Sequence, residues 1–353
     1  MPDIKKNAAI ITDFLKLAGK HPLFIQTHDI PDPDAIASAE AFRIIARHFG
    51  VKSRIVTNGM PQRRENQTLI RECRINLETL ESVSINADSP FSWAFIDCMP
   101  GGGNVTLHPQ APGKAFIAID HHHRAHGTQR LTVPFFLLID TEVGATATLL
   151  CQVLKEIHIP ISSRLASALS YAIISDTQDF SRGFIQTDIQ VYADIFPHTD
   201  QGIISRIRNS RKNRLYFTTV HRCIENARTY RNLAWVWVGE VENGEIVAEM
   251  ADFLLSLENI TWTLALGHTS ERMYISIRSS SPKANCAGVI HKLVPFSPFT
   301  VGGHDRFAGG FILLDSTADI HEMAEFLNER FIRHILRIPG SQTVPRGIPL
   351  IEE

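Results

Sequence analysis

The amino-acid sequence predicts an α/β protein: a parallel sheet with helices on both faces, followed by a smaller α/β domain. In the first half of the 353-residue chain, short apolar strands alternate with amphipathic helices. Several of these strands end directly in aspartate or histidine, as expected where ligands bind beyond the carboxyl ends of parallel strands. A second set of strands and helices begins near residue 233, after a weakly patterned stretch.

Length and composition fit a two-domain globular protein. The chain is long enough for two domains of roughly 150 residues each. Its formal net charge of -2 gives no electrostatic case for coating long nucleic acid. The five cysteines include no C-x-x-C pair, which argues against both a zinc knuckle and a disulfide framework. The N-terminus lacks the apolar core of a signal peptide, and no stretch approaches a membrane span, so we expect a cytoplasmic protein.

The periodicity of apolar residues predicts the elements of the first half. Ile4, Ala8, Ile11 and Leu15 recur at helical spacing, and a second helix stops at Gly50. Helices are predicted over residues 4–17, 34–49, 144–157 and 162–174, and strands over 23–25, 54–56, 93–96, 116–119 and 135–139. Residues 63–79 are polar and poorly periodic, which predicts helix and loop. Residues 184–195 are a further helical candidate.

Carboxylates and imidazoles lie where the chain is predicted to return to one edge of the sheet. They are His28, Asp32 and Asp34 after the first strand, Asp97 after 93–96, Asp120 and His121 after 116–119, and Asp176 after 162–174. Oxygen and nitrogen ligands without a thiolate suit Mn²⁺ or Mg²⁺ better than a structural zinc. So many carboxylates in one crevice would repel one another unless cations neutralised them.

Each residue also has a purely structural interpretation. Asp34 can be a helix N-cap and Asp32 a turn residue between prolines. Asp97 can be a polar residue that ends a strand, and Asp176 a loop residue after a helix. Each alternative is reasonable for one residue alone, whereas all of them together are improbable.

These residues form four motifs: H-D-I-P-D-P-D-A from His28, the apolar strand ending in Asp97, D-H-H from Asp120, and the apolar helix ending in S-D at Asp176. In residue types, order and approximate spacing they resemble the four motifs of the DHH phosphoesterase family. The resemblance implies a two-metal phosphoesterase, usually with two Mn²⁺ ions per chain and with Mg²⁺ as the alternative.

The resemblance also implies a role for each residue. His28, Asp32 and Asp97 would hold one metal; Asp34, Asp97, His121 and Asp176 would hold the other, with Asp97 bridging. His122 would face the substrate phosphate, and Asp120 would orient the ligands from outside the coordination sphere, which makes His122 and Asp120 the catalytic candidates. His123 extends the motif without an assigned role.

The second domain is predicted to contain strands over residues 233–238, 262–266, 273–277 and 311–314, and helices over 244–257, 284–293 and 319–335. The strands 262–266 and 273–277 are expected to form a hairpin around Gly267. Arg278 ends an apolar strand, and the segment V-G-G-H contains Gly302, Gly303 and His304. Arginine and closely approaching glycine backbone both suit phosphate, although a surface arginine and a plain turn are the simpler alternatives.

Both segments resemble the DHH-associated C-terminal domain, whose G-G-G-H sequence binds the nucleotide. The chain departs from that pattern at Val301, where a third glycine is usual, and at Phe307, where a small residue is usual. The resemblance therefore implies that Arg278, Gly302, Gly303 and His304 bind substrate. It covers roughly residues 20 to 335.

The predicted organisation is a catalytic domain over residues 1–190, a helical linker over 191–230, a substrate-binding domain over 231–338 and a tail over 339–353. The linker contains a basic run from Arg206 to Arg214, which we interpret as a solvated connector; a helix that meets nucleotide phosphates is the alternative.

The size and two-domain layout look most like the nanoRNase and pAp-phosphatase branch. They predict a Mn²⁺-dependent phosphodiesterase or phosphatase for very short oligonucleotides, linear pApA or pGpG, or 3′-phosphoadenosine 5′-phosphate. The alternatives are a RecJ-like single-strand exonuclease, a cyclic-dinucleotide phosphodiesterase, and a nucleotide sensor without turnover. No membrane and no long duplex DNA is expected as a partner, and a homodimer stays open.

Overall fold

The structure is a computed structural model that describes residues 3–85, 89–102, 104–111, 113–122, 133–294, 299–303, 305–315 and 319–351. The chain divides into two compact units, residues 1–210 and residues 211–353. Each unit has its own sheet and its own apolar core. In the described residues, no helix is long and apolar enough to cross a membrane.

The first unit alternates helices and strands as predicted. In chain order they are α1 (Ile4–Ala18), β1 (Leu23–Gln26), α2 (Pro33–His48), β2 (Ser53–Thr57), α3 (Arg64–Cys73), β3 (Leu77–Thr79), β4 (Ser92–Ile96), β5 (Phe116–Asp120), β6 (Phe135–Ile139), α4 (Thr146–Glu156), α5 (Ser163–Asp176), α6 (Gln186–Ile195) and α7 (Gln201–Arg208). The strand β3 was missed, because three residues at a sheet edge are too few to show a period.

The six strands form one parallel sheet in the order β3-β2-β1-β4-β5-β6. The predicted fold class is therefore confirmed. The strand order reverses between β1 and β4, because the chain moves outward from β1 in one direction and from β4 in the other. A crevice opens at such a reversal beyond the carboxyl ends of the strands, and ligands bind there in open α/β sheets.

In the described residues, the α-helices of this unit pack on one face of the sheet. That face packs on α1, α2, α4 and α5 through strand residues such as Ile25, Ala94 and Ile117. The opposite face carries Phe24, Trp93 and other aromatic residues, and loop residues cover it. The reason is that the connections between β4, β5 and β6 contain no helix in their described parts.

The second unit contains α8 (Arg214–Asn226), β7 (Arg228–Tyr230), β8 (Leu233–Glu240), α9 (Gly244–Leu255), β9 (Trp262–His268), β10 (Arg272–Ser279), α10 (Cys286–Leu293), β11 (Phe299–Gly303), β12 (Phe307–Leu313), α11 (Ile320–Leu336) and β13 (Ile348–Pro349). Its sheet has the order β11-β12-β10-β9-β8-β7-β13, with β8 and β9 parallel and the other neighbours antiparallel.

Helices cover both faces of the second sheet. The residues of β8 alternate between a core shared with α8 and α9 and a core shared with α10 and α11. The hairpin of β9 and β10 exists, but Gly267 lies within β9, opposite Tyr274, and not in the turn. Beside Gly267 a Cβ would lie about 3 Å from Val247 and Val238, so packing explains this glycine.

Most of the basic run pairs with acids. Arg206 contacts Glu72 at 2.8 Å, and Lys212 contacts Glu249 at 3.1 Å. Arg208 donates to Asp179 at 2.5 Å. These ion pairs fit the interpretation of a solvated surface better than that of a phosphate-binding helix.

Candidate metal centre

His28, Asp32 and Asp97 converge at the point where the strand order reverses. His28 follows β1, and Asp32 caps α2 by accepting a hydrogen bond of 3.0 Å from the backbone N–H of Ala35. Nε2 of His28 lies 3.8 Å from Oδ1 of Asp32 and 4.0 Å from Oδ2 of Asp97. Burial alone would lower the pKa of His28, but the Asp32 carboxylate outweighs it and the pKa is raised. The same pairing, against the cost of burial, lowers the pKa of Asp32.

Asp97 follows β4 with a backbone φ of 59° and an almost fully buried side chain. A left-handed conformation is uncommon for a residue other than glycine and is found often at functional sites. Its Oδ1 accepts a hydrogen bond of 2.8 Å from the hydroxyl of Thr146. Burial first, and then the charge of Asp34, raise the pKa of Asp97 well above its ordinary value.

Asp34 is buried in the first turn of α2 and is held by the N-terminus of α4. Its Oδ2 accepts a hydrogen bond of 2.6 Å from the N–H of Thr146, and its Oδ1 accepts one of 2.8 Å from that of Ala147. A helix N-terminus stabilises a carboxylate in this way. Burial nevertheless raises the pKa of Asp34 to about 7, with the charge of Asp176 as the next cause.

His121 joins these groups from the end of β5. Its Nδ1 lies 3.2 Å from the carbonyl oxygen of Val143, which fixes the orientation of the ring. Its Nε2 lies 3.1 Å from Oδ2 of Asp176 and 3.6 Å from Oδ1 of Asp97. Burial lowers the pKa of His121, but contact with Asp176 and the charge of Asp34 prevail and raise it to about 9.

Asp120 contacts His122 within the residues that the structure describes. Its Oδ1 lies 2.8 Å from Nδ1 of His122 and accepts a backbone hydrogen bond of 3.1 Å from the same residue. The ring of His122 lies 4.1 Å from that of His121, centroid to centroid. The structure thus ties Asp120 to the predicted phosphate-facing residue. His123 lies outside the described residues.

Ligand atoms of these side chains fall into three overlapping groups within 4.8 Å: His28 with Asp32 and Asp97, Asp34 with His121 and Asp176, and Asp97 with His121 and His122. Asp97 and His121 each belong to two groups. In the described part of the chain, Nε2 of His121 is buried and makes no hydrogen bond of good geometry. A buried nitrogen of this kind, beside Asp34 and Asp97, whose pKa values are both raised, fits a divalent cation. The oxygen and nitrogen donors suit Mn²⁺ or Mg²⁺.

Comparisons with known proteins give one curated relative and several solved structures of similar fold. No protein-family model matches the chain. An uncharacterized protein of Methanocaldococcus jannaschii is 30% identical over 325 residues, which are 91% of this chain and 65% of that protein. The chain therefore spans just under two thirds of the length of this curated relative.

Two solved structures cover nearly all of the chain. An exopolyphosphatase-related protein from Bacteroides fragilis superimposes with a TM-score of 0.74 at 17% identity, over 94% of this chain and 98% of that one. RecJ from Thermus thermophilus in complex with Mn²⁺ superimposes with a TM-score of 0.55 at 13% identity, over 96% and 55%. The chain has the DHH-family fold. The order of its four motifs and the superposition lead to this conclusion independently.

Two residues that hold these side chains in place were not predicted from the sequence. Thr146 donates its N–H to Asp34 and its hydroxyl to Asp97, and so links two predicted ligands. The buried Asp188 accepts hydrogen bonds from the N–H of Gly144 and the hydroxyl of Thr148. Gly144 has no room for a Cβ, which would lie 2.6 Å from Thr177. No sequence pattern marks these contacts, because they join segments far apart in the chain.

The predicted substrate-binding residues lie on neighbouring strands of the second unit. Arg278 is opposite Phe307 in the pairing of β10 with β12, and its guanidinium lies 5.9 Å from the Phe307 ring centroid. Gly302 and Gly303 lie in β11 and not in a turn. A Cβ at Gly303 would lie 2.3 Å from the Phe307 carbonyl oxygen, whereas one at Gly302 would meet nothing within 4 Å. His304 lies outside the described residues.

Proposed function

We propose that this chain is a two-metal phosphoesterase that hydrolyses very short oligonucleotides or 3′-phosphoadenosine 5′-phosphate with Mn²⁺. One observation carries the proposal: Asp97 is shared between ligand groups that extend to either side of it, towards His28 and Asp32 and towards His121. A carboxylate has two oxygens and can hold two cations. The DHH-family fold and the RecJ structures with bound manganese support the same assignment.

We assign the ligands as the motif resemblance implies. His28, Asp32 and Asp97 would hold one cation; Asp34, Asp97, His121 and Asp176 would hold the other. When bound, two such cations lower the pKa of a shared water and neutralise charge on the phosphoryl oxygens. The chain itself supplies rigid placement, because Asp34 and Asp97 are both fixed by Thr146.

His122 is proposed to contact the substrate phosphate. Oδ1 of Asp120 lies 2.8 Å from Nδ1 of His122 and fixes the orientation of the ring. The imidazolium would donate from Nε2 to a phosphoryl oxygen, whose negative charge it would also stabilise. The side chain is 36% exposed, unlike that of Asp97, which fits a residue that meets substrate.

The preference for short substrates is proposed from charge. With a net charge of -2, the chain has little of the non-specific electrostatic attraction that gives long strands their affinity. Arg278 and the glycines of β11 are proposed to hold a terminal nucleotide of the substrate.

A substrate panel with Mn²⁺ tests the proposal. The panel contains pAp, pApA, cyclic di-AMP and a single strand of about 24 nucleotides, whose extended binding would need stacking aromatics along a basic groove. We expect release of mononucleotide from pApA or of phosphate from pAp, with kcat/KM above that for the long strand. Asp97→Ala should abolish turnover, and Asp13→Ala, at an exposed residue paired only with Lys16 in the described structure, should not.

Other outcomes select the alternatives. A kcat/KM that rises steadily with length favours the RecJ-like exonuclease, and turnover of cyclic di-AMP alone favours the cyclic-dinucleotide phosphodiesterase. Nucleotide binding without turnover at any metal concentration would identify a sensor. Equal activity of Asp97→Ala and Asp13→Ala would contradict the assignment of the metal ligands.

A further inference from the structure

A second concentration of charge lies in the second unit, where the C-terminal ends of α10 and α11 meet. A cavity of about 960 Å³ opens there. It is lined by His291, Lys292, Leu293, Arg330, Arg333, His334, Arg337 and Ile338. Four of these residues are permanently cationic, two are histidines, and none is acidic.

Structural roles account for only part of this charge. Cations are favoured at helix C-termini, and His291 and Lys292 lie in the last turn of α10. Arg333 has a clear local role, because it donates to the carbonyl oxygen of Pro339 at 2.6 Å and also to Glu329. Lys292, Arg330 and Arg337, by contrast, form no ion pair with an acid in the described structure.

Arg330 is held in place, but not all of its N–H donors have a hydrogen-bond partner in the described residues. It donates to the carbonyl oxygen of Lys292 at 2.5 Å, and its guanidinium lies 5.2 Å from the Phe326 ring centroid. Its Nε is buried and has no hydrogen-bond partner within the described ranges. Leaving such a donor unsatisfied costs free energy, more for a charged group than for a neutral one. An acceptor supplied by a ligand would remove this cost.

The pKa of the neighbouring His334 is affected by the same excess of positive charge. Burial first, and then the charges of Lys292, Arg330 and Arg337, lower the pKa of His334. These cations are therefore close enough to repel an added proton. An anion among them would reverse this effect.

The cavity is separate from the glycine pair on which substrate binding was proposed. The N-terminus of α10 is tied to the loop that follows the glycines, because Cys286 N–H donates to the carbonyl oxygen of Asp305 at 2.9 Å. The cavity lies at the other end of this eight-residue helix, roughly 12 Å away at 1.5 Å per residue.

We propose that this cavity is a second, non-catalytic site, which binds the phosphate groups of a small polyanion. The four cations match a ligand with two or more phosphates, such as an oligophosphate or the polyphosphate chain of a nucleotide. Arginine is suited to this role by its planar set of donors, and lysine by its point charge. The proposal is independent of turnover at the metal centre.

Calorimetry on the 353-residue chain tests the site, with tripolyphosphate as the probe and without divalent metal, so that the metal centre cannot bind it. We expect binding that weakens between about 50 and about 200 mM salt. Lys292→Gln/Arg337→Gln should weaken it by about 10-fold or more, the value of one charged hydrogen bond. Arg231→Gln, at an exposed arginine elsewhere in this unit, is the control.

A second readout does not depend on affinity. Tripolyphosphate should raise the pKa of His334, measured by NMR, in the wild type and in Arg231→Gln. Arg337→Asn, which suits the left-handed backbone at this position, replaces the double variant if that variant unfolds. Adenosine triphosphate that binds like tripolyphosphate would show that phosphates alone are recognised; tighter binding would show that the nucleoside contributes. Absent binding, or equal binding by wild type and a folded cavity variant, would overturn the proposal.

Discussion

Nε of Arg278 donates a hydrogen bond of 2.6 Å to Oδ1 of Asp252, across two elements of the second unit. Its Nη1 donates to the hydroxyl of Ser276 at 2.8 Å and to the carbonyl oxygen of Ile277 at 3.0 Å. The guanidinium is therefore fixed before any ligand arrives. Within the described residues Nη2 is not engaged, which leaves a charged donor for a phosphate.

This placement predicts a binding defect in Arg278→Ala. Loss of a charged hydrogen bond of roughly 1.5–3 kcal/mol should raise KM for a dinucleotide about 10- to 150-fold. Binding energy realised equally in ground and transition state leaves kcat nearly unchanged. Asp252→Ala keeps the charge of Arg278 and should raise KM by no more than about 5-fold, since a partly exposed ion pair is worth about 1 kcal/mol or less. A large fall in kcat with an unchanged KM, measured by steady-state kinetics, would refute the predicted binding defect.

The two glycines of β11 should respond differently to alanine. Gly303→Ala forces a Cβ against the backbone of β12, so the melting temperature should fall. Gly302→Ala meets open space and should leave the melting temperature unchanged while raising KM, because a Cβ would keep a phosphate away from the backbone. Thermal unfolding and kinetics on both variants make the test. An unchanged KM in Gly302→Ala would remove that residue from the substrate site.

Substitutions of Thr146 test whether its hydrogen bonds to Asp34 and Asp97 are needed for metal binding. Thr146→Val keeps the backbone N–H that holds Asp34 and removes only the hydroxyl bonded to Asp97. We expect about a 10- to 100-fold loss in Mn²⁺ affinity or activity, the usual effect of losing a partner of a metal ligand. Thr146→Ser retains the hydroxyl and is the matched control. Identical Mn²⁺ dependence of the two variants would mean that the Asp97 contact is dispensable.

The parallel sheet could be predicted because its strands are apolar runs that end in charged residues. The bounds of two helices were close, because α1 has apolar residues at helical spacing and α2 ends shortly before Gly50; each also has a capping aspartate. The short strands β3, β7 and β13 were not predicted, since two or three residues show no period. The loop residues that pack on the aromatic face of the first sheet were not predicted either, because loops carry no periodic signal.

The site residues were predicted by type and chain position, and the structure brings the metal candidates together. The hydrogen bonds that hold these residues in place could not be predicted. Thr146 and Asp188 act through backbone and side-chain contacts between segments that are distant in sequence. A Cβ at Gly303 would clash with the neighbouring backbone, whereas one at Gly302 would meet open space. This difference depends on neighbouring strands and could not be predicted from the sequence either.

The pKa shifts at the metal centre predict how the metal-free chain responds to pH. Asp34 has its pKa raised from 3.8 to about 7, and His121 from 6.5 to about 9, so the folded chain holds both protons more tightly than the unfolded chain. Stability from these groups is therefore complete at low pH. It is lost as pH rises through about 7 for Asp34 and about 9 for His121.

Asp32 acts in the opposite sense, because its lowered pKa contributes stability that is lost only in acid, below its ordinary value of 3.8. Between pH 5 and pH 9 the shifts of Asp34 and His121 should thus lower the melting temperature of the chelator-treated protein. Mn²⁺ should reverse this trend, because the cation binds the deprotonated ligands and releases their protons. Asp34→Asn, which cannot titrate, should flatten the part of the decline below about pH 7. Thermal unfolding with chelator and with Mn²⁺ measures all three effects. The metal-free chain could instead become more stable from pH 5 to pH 9, with the same slope in Asp34→Asn. That result would contradict the crowded cluster of carboxylates and imidazoles described above.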